Sequence, residues 1–179
     1  VMDIAMNRLD RSVAEQPADG LCDEGPGYWG GAGSSYFDCL ELLYDMSGGA
    51  INVYDHPLVR AICEYIVKFN IDGKKRFINF ADCAPSCHHD GTQIQRMGRK
   101  CSSDTLIPFG AAMAQIDDLK YPWAHTYRAM MNLMTETPEP IPSKADKKIW
   151  FPGLKVMIAR ESDDPSRGLF VAMKGGSNN

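Results

Sequence analysis

Apolar positions along the chain follow two regimes. Up to about residue 135 they recur at helical spacing, and after residue 149 they alternate. In 2–16, Met2, Ile4, Ala5, Leu9 and Val13 mark one helix face, which Pro17 and Gly20 end. The next helix is predicted over Tyr36–Met46, with Phe37, Leu40, Leu43 and Tyr44 on one side and Ser34 or Ser35 as its cap. His56–Pro57 opens a third over Leu58–Phe69, whose buried stripe is Val59, Ile62, Cys63, Ile66 and Val67. Phe77–Phe80 is a short apolar segment. Further helices are predicted at Thr92–Arg99, at Thr105–Gln115 behind Ser103 or Asp104, and at Ala124–Thr135. Glu136–Ser143 carries Pro138, Pro140 and Pro142, a pattern neither a helix nor a central strand survives. Strands are predicted at Ile149–Arg160 and Gly168–Met173, with a turn at Asp163–Ser166.

The implied organisation is a helical part over 1–135, a Pro-rich linker over 136–148 and the start of a β-domain over 149–179. Strands so few are expected to be short, poorly paired or recruited by a neighbouring molecule, because unpaired edges seek partners. Both ends read as cut from a longer chain: the start is already helical and the end follows directly on a strand.

The 179 residues suffice for one substantial core. A net charge of −4 and a pI of about 5.5 argue against a general nucleic-acid binder. No run of apolar residues is long enough to span a membrane, and VMDIAMNRLDRS has no signal-peptide h-region. Six cysteines invite a disulfide reading, but Cys39 and Cys63 fall on apolar helix faces. Reduced, mostly buried cysteines and a cytosolic setting are therefore expected. The sequence carries no signal of oligomeric state.

The richest stretch chemically is Asp19–Gly31, DGLCDEGPGYWGG. So much Gly and Pro makes it a loop. An aromatic pair, Tyr28–Trp29, beside the acids Asp23 and Glu24 suits a sugar, which has apolar C–H faces and polar edges. A structural role, with the aromatic pair packed into the core, is the alternative, above all for Trp29. The segment resembles the D-G-x-x-x-E-G-x-x-Y motif of the heparinase II/III-like polysaccharide lyases. Two further segments follow in the same order: FINFADCAPSCHHDGTQIQRMG (Phe77–Gly98) resembles that family's second loop, and FPGLKVMIARESDDPSRGLFVAMKGG (Phe151–Gly176) its entry into the C-terminal β-domain.

The resemblance implies a fold that is mainly α: a portion of an (α/α) toroid followed by the first strands of an antiparallel β-domain. It also implies β-elimination on a uronic-acid polysaccharide or oligosaccharide, for which no cofactor or metal is expected. Such a reaction needs a donor to neutralise the uronate carboxylate, a base for the C5 proton and an acid for the leaving oxygen. Glu24 stands at the motif glutamate and would have to carry a proton to serve the carboxylate. Glu24 and Tyr28 are the catalytic candidates; Trp29, Tyr36, His88, His89 and Arg96 are the substrate-binding ones. Glu24, Tyr28 and Arg96 are expected to line one groove, Arg96 offering a forked cation.

The match has departures. Cys22 stands where many members have a histidine, and a thiol is a much weaker donor than an imidazole. No Tyr lies between Tyr65 and Tyr121, so the second loop lacks the tyrosine expected there, and Tyr28 or Tyr36 would have to act. The family's His-Asn-His segment, beyond a strand like Phe170–Gly176, is not reached, so the chain alone is expected to be inactive. These departures keep open a non-catalytic carbohydrate-binding relative. A third reading is a zinc-stabilised module built on Cys83, Cys87, His88 and His89. His56 and His125 read as structural.

Overall fold

The structure, a computed structural model, describes residues 2–116, 126–136 and 144–176. Seven helices and three strands occur among them: α1 Met2–Ala14, α2 Pro26–Trp29, α3 Ala32–Met46, α4 Pro57–Phe69, α5 Gly91–Lys100, α6 Leu106–Ile116, α7 Thr126–Leu133, β1 Lys148–Phe151, β2 Val156–Arg160 and β3 Phe170–Lys174. The chain is therefore mainly α with one small antiparallel sheet. The linker prolines Pro138, Pro140 and Pro142 and the histidine His125 lie outside the described residues.

Local chemistry sets most boundaries. His56 caps α4: its Nδ1 accepts from the Leu58 amide at 3.2 Å, and Pro57 follows at the first helical position. Asp90 caps α5 by accepting from the Gln93 amide at 2.9 Å. The α4 stripe is buried as its spacing predicts. Three features differ from the sequence reading. Helix α3 begins at Ala32, so Ser34 and Ser35 lie inside it and Gly31 takes the cap position. The loop after α1 contains α2, one turn started by Pro26. The predicted strand Ile149–Arg160 is two strands, because Pro152–Gly153 turns the chain and Lys155 adopts a left-handed φ of 53°.

The sheet has the order β1-β2-β3. Its pairing is continuous, from Lys148↔Ala159 to Phe151↔Val156 and from Val156↔Lys174 to Arg160↔Phe170. The strands are short, as expected, but not poorly paired. One face carries Phe151, Val156 and Ile158 into the core that also holds Phe69 and Phe77. The Phe69 and Phe151 rings lie 4.8 Å apart. Arg160 secures the join: its guanidinium donates to the carbonyls of Asn70 and Ile71 at the end of α4 and covers the Phe170 ring at 4.5 Å. The opposite face carries the row Trp150, Met157, Met173, of which Trp150 and Met173 are exposed and Met157 is half-buried.

Helices α5 and α6 meet backbone to backbone. A Cβ on Gly91 would stand 2.6 Å from the Gly110 carbonyl oxygen, and one on Gly110 2.6 Å from the Gln95 amide. Helix α3 buries charge as well as apolar surface. Asp38 Oδ2 accepts from Arg128 of α7 at 2.6 and 2.9 Å, and Asp38 Oδ1 from Gln93 of α5 at 2.6 Å. Glu41 accepts from Arg96 Nε at 3.0 Å, and Arg96 also donates to Asn132. Burial pushes the Glu41 carboxyl up, against the opposing pull of Arg96.

Removing one member of such a pair strands its partner. Arg96→Ala is expected to cost about 3–5 kcal/mol in denaturant unfolding, and Arg96→Ala with Glu41→Ala to cost clearly less than the sum of the two single changes. Additive losses would show that the pair is not coupled.

Candidate functional site

The Gly-rich loop is held down at three points. Gly20, at φ 69°, packs so tightly on α4 that a Cβ there would stand 2.3 Å from the Ala61 carbonyl carbon. The Tyr65 hydroxyl donates to the Cys22 carbonyl at 3.1 Å. Trp29 is buried; its Nε1 donates to the Ile62 carbonyl at 2.8 Å, and Gly33 leaves room for its indole. A further tie reaches the sheet, where the Gly153 amide of the β1–β2 turn donates to Asp19 Oδ2 at 2.9 Å.

These anchors leave a cleft of about 520 Å³ between the end of α1, the loop, the first turns of α3 and the β1–β2 turn. Glu15, Cys22, Asp23, Glu24, Trp29 and Tyr36 line it, with Gly153 and Leu154 closing one side. Among the described residues its lining carries three carboxyl groups and no Lys, Arg or His. Burial pushes the Tyr36 hydroxyl up to about 12, helped by the nearby Cys63, Asp10 and Cys39. Tyr36 thus keeps its proton at neutral pH and is a donor there. Burial pushes the Cys22 thiol up to about 11, with Asp23 and Glu24 adding to the shift.

The cleft brings together three of the seven site candidates, Glu24, Trp29 and Tyr36. Glu24 is exposed at its margin. Trp29 contributes an edge to the wall and not an open stacking face, since it is only 1% exposed. Tyr28, on α2, is 47% exposed and does not line the cleft. Arg96 is buried with Glu41, so it does not share a groove with Glu24 and Tyr28. His89 is buried in the core, edge-on to Trp29 at 5.7 Å and to Phe77 at 4.9 Å. His88 is exposed, its Nδ1 3.2 Å from Lys75 Nζ. No local pattern signals that α1 and the β1–β2 turn complete the cleft, because both reach it through tertiary packing alone.

The second loop lies behind the first. The Gly27 amide donates to Cys83 Sγ at 3.1 Å, and Cys87 Sγ lies 3.6 Å from Cys83 Sγ. All six cysteines are free thiols. Cys83 and Cys87 are next to each other, but among the described residues no three His, Cys, Asp or Glu side chains converge to hold a metal ion. A second, smaller hollow of about 260 Å³ lies between α4 and the sheet. Of its four cations, Arg60 and Lys68 pair with Glu64, Lys144 with Asp163, and Arg160 donates to the Asn70 and Ile71 carbonyls. No helix among the described residues is long and apolar enough to cross a membrane. No family model matches the chain, and no curated protein matches it significantly.

The Cys22 thiol provides a check on the buried wall of the cleft. Because its thiolate forms only as pH rises toward about 11, alkylation by iodoacetamide should be slow at neutral pH and accelerate steadily through that range. Fast labelling of Cys22 at neutral pH, read by peptide mass spectrometry, would show an open, solvated thiol instead.

Proposed function

We propose that this chain is part of a heparinase II/III-like polysaccharide lyase, and that its cleft is part of the groove in which an acidic, uronic-acid-containing glycan is cleaved by β-elimination. The helices then form a portion of an (α/α) toroid, and β1–β3 the first strands of its β-domain. The observation that carries this reading is that the D-G-x-x-x-E-G-x-x-Y segment contributes Gly20–Glu24 to the wall of a cleft of about 520 Å³, with Glu24 and Tyr36 both on its lining.

In this reading Tyr36 takes the acid role, protonating the oxygen that leaves C4, since its hydroxyl holds its proton well above neutral pH. Glu24 faces the uronate carboxylate from the cleft margin and serves it as a donor in its protonated form. The base for the C5 proton comes from outside the cleft's described lining. Tyr28, exposed on α2, contacts flanking sugar.

A second reading is a non-catalytic carbohydrate-binding relative. It is favoured by Cys22 at the family's histidine position and by a lining that, among the described residues, has Glu15, Asp23 and Glu24 but no cation. Such a lining suits the hydroxyls of neutral sugars, which donate to carboxylates, better than the charge of a polyuronate.

The two readings part on product. The full-length protein is incubated with glycosaminoglycans and other uronate polymers, and the ultraviolet absorbance of the unsaturated uronate is followed. Under the lyase reading absorbance grows, and Glu24→Gln and Tyr36→Phe each slow it by about 10²–10⁴-fold. Binding of glycan without any absorbance change would favour the second reading and remove the first.

A further inference from the structure

The mechanism above leaves two buried sulfurs unused. Cys83 and Cys87 lie in the loop between Phe77 and α5, with Sγ atoms 3.6 Å apart. A disulfide requires about 2 Å, so a small shift of the loop closes the gap. The loop is free of helix and strand pairing between Cys83 and Cys87, apart from the bridge at Ser86. Both sulfurs contact the same acceptor, the Ala84 carbonyl, at 3.2 and 3.1 Å, so both already point to one side. Cys83 and Cys87 retain 7% and 8% exposure, whereas Cys63 in the helical core retains 1%.

Their position relative to the Gly-rich loop gives the pair a consequence. Cys83 Sγ accepts from the Gly27 amide at 3.1 Å. A Cβ on Gly27 would stand 3.2 Å from Cys83 Sγ and 3.5 Å from Cys87 Sγ, so α2 rests directly on the two sulfurs. Two residues further on is Trp29, the anchor of the cleft wall.

We infer that Cys83 and Cys87 form a redox-active dithiol, and that its oxidation to an intramolecular disulfide draws Cys83 Sγ off the Gly27 amide and loosens the α2 turn that carries Trp29. The oxidant is a low-molecular-mass disulfide such as oxidised glutathione. The Cys83 thiolate attacks one of its sulfurs, forming a mixed disulfide and expelling one thiolate. The Cys87 thiolate then attacks Cys83 Sγ, forming the Cys83–Cys87 bond and expelling the second. Two cysteine thiols are oxidised by two electrons, one small disulfide is reduced to two thiols, and the two cysteine protons end on those thiols. Cys83 is the first nucleophile because a backbone N–H points at its sulfur, and a thiolate accepts such a bond more strongly than a thiol. The inference is independent of whether the cleft cleaves a glycan or only binds one.

The test uses the unmodified chain. It is equilibrated in glutathione buffers of graded reduced-to-oxidised ratio, quenched by alkylation under denaturing conditions and digested with trypsin. Cleavage after Arg76 and Arg96 gives Phe77–Arg96, which contains Cys83 and Cys87 and no other cysteine. Its internal disulfide should reach half-formation at an oxidised-to-reduced ratio at least about tenfold lower than any crosslink between Cys63 and Cys101. Hydrogen exchange at Gly25–Trp29 should accelerate in step with that disulfide. It should stay at the reduced rate in Cys87→Ala under the same buffers. A Phe77–Arg96 peptide that stays doubly alkylated, or that gains only glutathione adducts, overturns the dithiol. A disulfide that forms with no change in exchange at Gly25–Trp29 overturns its coupling to the cleft.

Discussion

The cleft depends on the burial of one indole. Trp29 gives its only polar atom, Nε1–H, to the Ile62 carbonyl in α4, so it is buried at no hydrogen-bond cost. Everything around it is shaped to admit it. Gly33 supplies the space on α3, since a Cβ there would stand 2.4 Å from Nε1, and His89 packs edge-on against the ring from the second loop. Trp29 thus joins three parts of the chain that are distant in sequence: the Gly-rich loop, α4 and the loop before α5. With it seated, Glu24 and Tyr36 stand on the lining of one cleft, and Cys83 lies against Gly27. A smaller residue at Trp29 would leave a cavity with no side chain close enough to fill it, and the loop would lose its register on α4.

Charge holds the helical layer in a different way. Asp38 and Glu41 point inward from α3 and meet Arg128 and Arg96. Exposed ion pairs add little, whereas these pairs are desolvated, so their members must find each other. Their effect is to fix where α3 stands relative to α5 and α7. A purely apolar α3 face would tolerate sliding. One in which two carboxylates each need a particular guanidinium does not.

What was legible in the sequence follows from what is local. The α4 stripe and the helix opening at His56–Pro57 depend on neighbours within a few residues, and the chain announces them, whereas the cap at Asp90 starts α5 one residue before the predicted Thr92–Arg99. The α3 face was read as apolar, with Leu43 and Tyr44 on it. In the structure Asp38 and Glu41 take the buried positions and Leu43 and Tyr44 are only half-buried, because the arginines that neutralise the acids are more than 50 residues away. The same reason misplaced Arg96 and His89 as site candidates: an Arg and a His in a loop-and-helix segment look exposed until the partners that bury them are known. The single predicted strand over Ile149–Arg160 broke at Pro152–Gly153, a turn signal outweighed by the alternating pattern on both sides. Glu24, Trp29 and Tyr36 share one cleft because the Gly-rich loop and the start of α3 are adjacent in the chain.

The cleft's charge sets the terms for any ligand it accepts. Glu15, Asp23 and Glu24 stand on its lining without a Lys, Arg or His among them, and the arginines of the helical layer are already committed to Asp38 and Glu41. A polyuronate entering such a cleft brings one more negative charge per acidic sugar to a place that holds three. Attraction then has to come from protons. Tyr36 supplies one, because burial keeps its hydroxyl protonated, and Glu24 supplies a second only when it is neutral. With Glu24 protonated, the unfavourable lining becomes two donors facing an acceptor. A neutral sugar needs no such form, since its hydroxyls donate to the carboxyl groups as they stand. The distinction between cleaving an acidic glycan and holding a neutral one therefore reduces to whether Glu24 meets its ligand as a donor or as an acceptor.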